Sequence, residues 1–183
     1  HGRNFDQETS RSAVGQPIGS FFVYEADGLF QSDAEIQNYK NDRGELLQPN
    51  AKPGDIRFKD LNGDGVINSD DRDFKGNPLP DCSMGLTLGF NYKNFDVSAF
   101  FQGVFGNEVY NLTNYLGEFY NQAQYNKNST ILDAWRPDNT DTDIPRVTLD
   151  DPNNNIRPST YYIHNASFVR LKNLKVGYTL PDK

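Results

Sequence analysis

The sequence is poor in the residues that most often carry chemistry, with one cysteine, one methionine, one tryptophan and two histidines among 183 residues. A lone Cys82 excludes an internal disulfide framework, and its Asn-, Gly- and Pro-rich surroundings offer no paired histidine, so a buried or inert thiol is expected. Neither His1 nor His164 stands at a metal-ligand spacing. Asp141, Asp143, Asp150 and Asp151 lie in Asp/Asn/Pro-rich stretches, where carboxylates form solvated turns more often than a glycosidase pair. With no nucleophile and base to assemble, an enzyme is not expected.

Basic charge is also lacking. There are 18 Lys and Arg against 25 Asp and Glu, giving a net charge of -7 and a pI near 4.8. No basic stripe is present to neutralise phosphates, which excludes nucleic acid as a partner. Long apolar runs are missing too: nothing approaches the roughly 18 to 20 residues of a membrane helix, and the first residues show no signal-peptide pattern. Those absences leave a membrane β-barrel open, because its strands alternate and need only about 9 to 11 residues each.

What the chain does have is a run of oxygen side chains, Asp60-Leu61-Asn62-Gly63-Asp64-Gly65-Val66-Ile67-Asn68-Ser69-Asp70-Asp71. Its spacing is that of a twelve-residue calcium loop. Side chains at the first, third, fifth, ninth and twelfth positions and a carbonyl at the seventh supply the oxygens, and Gly stands sixth for the sharp turn. The expected ligands of Ca2+ are therefore Asp60, Asn62, Asp64, Val66, Asn68 and Asp71. Asp71 replaces the usual Glu, so the EF-hand-like unit, residues 55–75, is closer to the dockerin form of the loop. Only one copy is present, whereas dockerins carry two. The competing reading is an Asx-rich turn held by its own side-chain hydrogen bonds.

Periodicity supplies the fold class, all-β. Ile18 to Phe30 is rich in aromatic and β-branched residues and predicts a strand, and Ser32 with Glu35 predicts a capped helix over Asp33 to Asn41. Residues 43–54 read as loop, Asp55 to Lys59 as extended chain, and Gly76 to Asp81 as a proline-stiffened turn. The clearest pattern is a hairpin. Leu86, Leu88, Phe90 and Tyr92 share one face against Thr87, Gly89 and Asn91. After a turn at Lys93-Asn94, Phe95, Val97, Ala99 and Phe101 oppose Asp96, Ser98 and Gln102. The apolar face suits either a soluble sandwich core or the lipid side of a barrel. Residues 104–160 are irregular, with helices expected only over Asn107 to Tyr120 and Thr130 to Trp135. Ser167 to Leu180 resumes the alternation, and a final strand with no partner after it suggests an excerpt.

Several motifs together resemble one family. They are Gly54-Asp55-Ile56-Arg57-Phe58-Lys59 running into the calcium-type loop, Gly76-Asn77-Pro78 with Pro80-Asp81, and Phe100-Phe101-Gln102-Gly103. Trp135-Arg136-Pro137-Asp138-Asn139-Thr140 follows, with Ile144-Pro145-Arg146, then Ser167 to Leu174 and Gly177-Tyr178-Thr179-Leu180-Pro181. From about Gly15 to Pro181 the chain resembles the SusC/RagA family of TonB-linked outer-membrane proteins.

The resemblance implies a 22-stranded antiparallel outer-membrane β-barrel with long extracellular loops and short loop helices. Residues 1–183 would be a C-terminal portion of it, without the plug, the TonB-contacting segment or the final strands. Its implied work is import of oligosaccharides or peptides in a Gram-negative outer membrane, powered by the TonB system through the absent N-terminal part and assisted by a SusD-like surface lipoprotein. The calcium loop would stiffen an extracellular loop. Tyr110, Tyr115, Tyr120, Tyr125 and Trp135 are candidate contacts for substrate or partner, since aromatic faces stack on sugars. The alternative is a soluble calcium-stabilised carbohydrate-binding or adhesion module.

Overall fold

A computed structural model describes residues 9–118 and 126–181. The chain divides into two units, residues 1–76 with 110–163 and residues 77–109 with 164–183. Most of its regular structure is strand, with few and short helices.

The second unit is built on three long antiparallel strands in the order β10-β7-β6, namely β6 (Cys82–Tyr92), β7 (Phe95–Phe105) and β10 (Phe168–Tyr178), each of 11 residues. The turn between β6 and β7 is Lys93-Asn94, with Lys93 in the left-handed region at φ 53°. Register fixes the faces. Leu86 pairs with Phe101, Leu88 with Ala99 and Phe90 with Val97. On the other side of β7, Leu171 meets Phe101, Leu174 meets Ala99 and Val176 meets Val97. A bulge between Leu171 and Asn173 absorbs Lys172 and keeps the alternation in phase. One face is therefore continuously apolar and carries Met84, Leu86, Leu88, Val97, Leu174 and Val176. The other carries Thr87, Asn91, Asp96, Ser98, Gln102, Arg170 and Lys175.

The apolar face is not a core. Leu88 is 53% exposed, Phe90 65% and Val176 67%. Apolar Phe100, Val104 and Phe168 also fall on the polar face, and the Phe100 ring closes over Gly85, so that a Cβ there would meet it at 3.0 Å. Cys82 opens β6 and is exposed, so of the two alternatives expected, a buried or an inert thiol, the buried one does not hold.

The first unit follows a different logic. The expected strand Ile18 to Phe30 is broken at Glu25 into β2 (Ser20–Tyr24) and β3 (Ala26–Leu29). β2 lies between β1 (Ser10–Arg11) and β5 (Arg72–Phe74), and β3 pairs with β4 (Ile56–Phe58). Helix α1 (Asp33–Asn38) is capped by Ser32, whose hydroxyl accepts from Glu35 N, but Glu35 reaches back to Gln31 N rather than to the cap residue. It stops three residues earlier than expected because Tyr39 turns away to pack on Phe30 and to donate its hydroxyl to Phe58 O at 2.6 Å. The expected helix over Asn107 to Tyr120 is also shorter. Glu108–Tyr110 is a strand, β8, paired with β9 (Ile163–Asn165), and only Leu112–Gly117 is helical, as α2. Thr130 to Trp135 is a 3-10 turn over Ser129–Asp133.

Tyr24, Leu29, Ile56, Phe58, Trp135 and Tyr162 form the core of this unit, and Phe30, Ile36 and Ala51 a smaller cluster. The outer edge of β4 is closed by side chains, not by another strand. Asn155 Oδ1 accepts from Ile56 N at 2.8 Å and Gln48 Oε1 from Phe58 N at 2.8 Å. Gln48 Nε2 and Asn153 Nδ2 both donate to Ile56 O at 3.0 Å. The amides also bond one another, Gln48 to Asn153 and Asn153 to Asn155, each at 2.8 Å. Asn155 Nδ2 donates to the fully buried Asp55, whose carboxylate is gripped through two bonds by Arg146 at 2.6 and 3.2 Å. A buried backbone edge needs every donor and acceptor matched, and Asn153 and Asn155 do it from about 100 residues away in sequence while Gln48 does it from nearby.

Candidate functional site

The Asp60 to Asp71 loop runs from β4 to β5 and is wound around its own carboxylates. Asp60 accepts from Gly63 N at 2.7 Å and Gly65 N at 2.8 Å, Asn62 Oδ1 from Asp64 N at 2.8 Å, and Asp64 Oδ1 from Val66 N at 2.9 Å. Fully buried Asp71 accepts from Leu61 N at 2.9 Å with one oxygen and from Asn68 N at 2.7 Å with the other. Asn68 and Asp71 thereby form a capping box on the short 3-10 helix Ser69–Asp71. Gly65, the sixth position, has φ 90°, and a Cβ there would stand 2.6 Å from Asn41 Nδ2. Only glycine meets both demands. Hydrogen bonds from Val66 N and the Asn68 amide hold the Asp64 carboxyl below its ordinary pKa, which keeps it anionic in the middle of the loop.

The donor set is all oxygen, with three carboxylates, two amides and a carbonyl, and in its chemistry it fits calcium. Among the described residues no group of three His, Cys, Asp or Glu side chains is gathered closely enough to hold a metal ion. The Asp60, Asp64 and Asp71 carboxylates are turned on backbone N–H groups instead, so the turn is self-supporting.

The candidate aromatic contacts fall on packed positions. Trp135 is 8% exposed, donates Nε1 to Gln31 Oε1 at 2.9 Å, and lies over Gly54, where a Cβ would stand 2.5 Å from the indole. Tyr110 and Tyr115 are half-buried against Tyr162, each with ring centroids 5.4 Å away, and Tyr161 meets it edge-on at 5.1 Å. Desolvation raises the Tyr110 and Tyr115 hydroxyls above the ordinary phenol pKa. Tyr120 and Tyr125 lie outside the described residues. Sequence reasoning missed the partners that fix this cluster, Tyr162 and Tyr161. It also missed Gln48, Asn153 and Asn155, whose isolated polar letters carry no periodic signal.

The long-stranded sheet is the remaining functional feature, and it defines a class. These are antiparallel β-proteins that turn an apolar face outward and keep small and polar side chains on the other. No family model matches the sequence. The chain is 37% identical over 181 residues to TonB-dependent receptor P3 of Formosa agariphila, a match covering 99% of this chain and 17% of that receptor. It is 30% identical over 169 residues to TonB-dependent receptor SusC of Bacteroides thetaiotaomicron, covering 92% of this chain and 14% of SusC. In backbone it is similar to the RagAB peptide transporter, with a TM-score of 0.59 and 28% identity, over 89% of this chain and 16% of that one. Over nearly its whole length the chain is thus similar to a segment of SusC/RagA-like TonB-dependent receptors, and it spans less than a fifth of the relatives it matches.

Proposed function

We propose that this chain forms part of the wall and the extracellular loops of a TonB-dependent outer-membrane importer, a 22-stranded barrel that takes up oligosaccharides or peptides together with a SusD-like lipoprotein. The observation that carries this reading is the sheet of 11-residue strands whose apolar face is exposed along its length. A soluble adhesion module would cover such a face; a barrel presents it to lipid. Strand β7 is paired on both sides while β6 and β10 each have one free edge among the described residues, as neighbouring staves of a barrel require. Barrels of this kind have short periplasmic turns and long outer loops. The Lys93-Asn94 turn is then periplasmic, and residues 9–76 and 110–163 face outside.

The reading is tested in the full-length receptor with Cys82 replaced by Ser. A membrane-impermeant maleimide is expected to label Leu132→Cys on intact cells and Lys93→Cys only after permeabilisation. Labelling of both on intact cells would refute the orientation. Uptake that persists without TonB would refute the importer.

Calcium belongs to the same reading. Asp60, Asn62, Asp64, Asn68 and Asp71 with the Val66 carbonyl would hold the ion, and its contribution is to stiffen a loop that these residues already shape. Calorimetric titration of calcium is expected to give heat with the native loop and none with Asp64→Ala. A native loop that gives no heat removes the ion.

A further inference from the structure

Within residues 9–76 and 110–163 lies an open cavity of about 190 Å3 that the import role does not by itself explain. Drug-sized ligands occupy roughly 300 to 1,000 Å3, so this volume suits one side chain or end group. It exists because the β3–β4 ladder skips. Ala26 pairs with Phe58 and Leu29 with Ile56, with a register shift between, so Asp27 and Gly28 bulge away from the partner strand. Buried Leu29 and Ile56 belong to its lining, and Gly28 has nothing within 4 Å of the place its Cβ would take, which keeps the cavity open.

Thr160, Tyr161 and Asp143 complete the lining. Tyr161 is pinned by donation from its hydroxyl to Glu118 at 2.7 Å, and Thr160 by accepting from Ala26 N at 2.9 Å. No lining residue is cationic. Asp27 is already matched by Arg57 at 3.0 Å, whereas exposed Asp143 has no ion-pair partner among the described residues. An anion entering here meets a carboxylate and no cationic side chain. A cation with a methylene stem meets a lining that combines the Asp143 carboxylate, aromatic Tyr161 and apolar Ala26, Leu29 and Ile56, a composition that favours an amphipathic amine.

We propose that this cavity takes the alkylammonium side chain of a lysine in a peptide substrate, with Asp143 as its charge partner. The proposal rests on the importer reading and narrows its substrate class. The test uses the full-length receptor in detergent at low salt and two end-blocked peptides, identical except that one carries lysine and the other acetyl-lysine. The lysine peptide is expected to bind about three- to tenfold more tightly, the size of a partly exposed ion pair with a cation–π contact. Asp143→Asn, an exposed and isosteric change, is expected to erase the difference while leaving the acetyl-lysine peptide unaffected. Equal binding of the two peptides, or discrimination that survives in Asp143→Asn, overturns the assignment. So does a receptor that binds neither peptide; TonB-dependent uptake of any other solute by that receptor would then show that the importer reading stands without it.

Discussion

The sharpest consequence of the outward apolar face is that one substitution should be severe and its sequence neighbour mild. Leu88 stands near the middle of β6, across from Ala99, which in turn faces Leu174, and it is 53% exposed. A strand of 11 residues is about 36 Å long, and tilted at about 45° it rises about 25 Å, the height of the apolar band of an outer-membrane barrel. Leu88 then lies close to the bilayer midplane. An arginine facing lipid there costs about 2–4 kcal/mol, while near the interface the cost falls to about 0–1 kcal/mol. Leu88→Arg should therefore shift folding by a factor of about 30 to 1,000. Thr87→Arg, on the opposite face, should be nearly silent, and Tyr92→Arg, at the strand end, should fall between. The assay is urea unfolding of the full-length receptor in lipid vesicles, read by the loss of heat-modifiable migration. If Thr87→Arg damages folding as much as Leu88→Arg does, the face assignment is wrong.

Two further perturbations address the other unit. Asp55→Ala leaves Arg146, the Asn155 amide and Lys52 N without their shared acceptor. Breaking a buried pair of this kind costs about 3–5 kcal/mol, expected as a lower melting temperature and new proteolytic cleavage within residues 110–163, with Asp141→Ala as a silent control. Lys59 and Lys75 flank Glu25 and pull its carboxyl below the ordinary pKa. A depressed pKa contributes stability above the unfolded carboxylate range and loses it as pH falls through the folded value. Acid melting should thus steepen below about pH 4.5 in the native chain, and Glu25→Gln should flatten it; an unchanged acid limb in the variant would remove the effect.

Legibility divided along physical lines. The hairpin and the closing strand could be read in the sequence because a period of two forces Leu86, Leu88 and Phe90 onto one face whatever lies beyond it. Even so, β6 starts at Cys82, before the alternation is visible, and Phe100 interrupts the polar face because Gly85 opposite leaves room for its ring. The calcium-type loop was equally local: its Asx turns and the Gly65 conformation are set by residues within twelve positions, with only Asn41 brought from outside. Residues 104–160 were opaque. Val109 and Tyr110 are claimed by pairing with β9 and not by the helix their neighbours suggest, and the Trp135 segment is held through Ile144, Gly54 and Gln31. Apart from Ile144, such partners are distant in sequence, so no short window could report them.

The scarcity of cysteine acquires a meaning from this. Long irregular segments that must keep one shape without regular structure usually need a staple, and disulfides are the common one outside the cell. This chain has a single thiol, and that one opens a strand of the other unit. The staple here is the set of buried amides and one ion pair, Gln48, Asn153, Asn155, Asp55 and Arg146, which ties residues 48–58 to residues 146–155. Every bond in it is directional and made to backbone or to another member, so the network tolerates little displacement but places no demand on the surface residues between its anchors. Loops built this way can change sequence at exposed positions such as Leu132, Val147 or Leu149 while the frame beneath stays fixed. In that separation, rigidity and surface chemistry are carried by different residues.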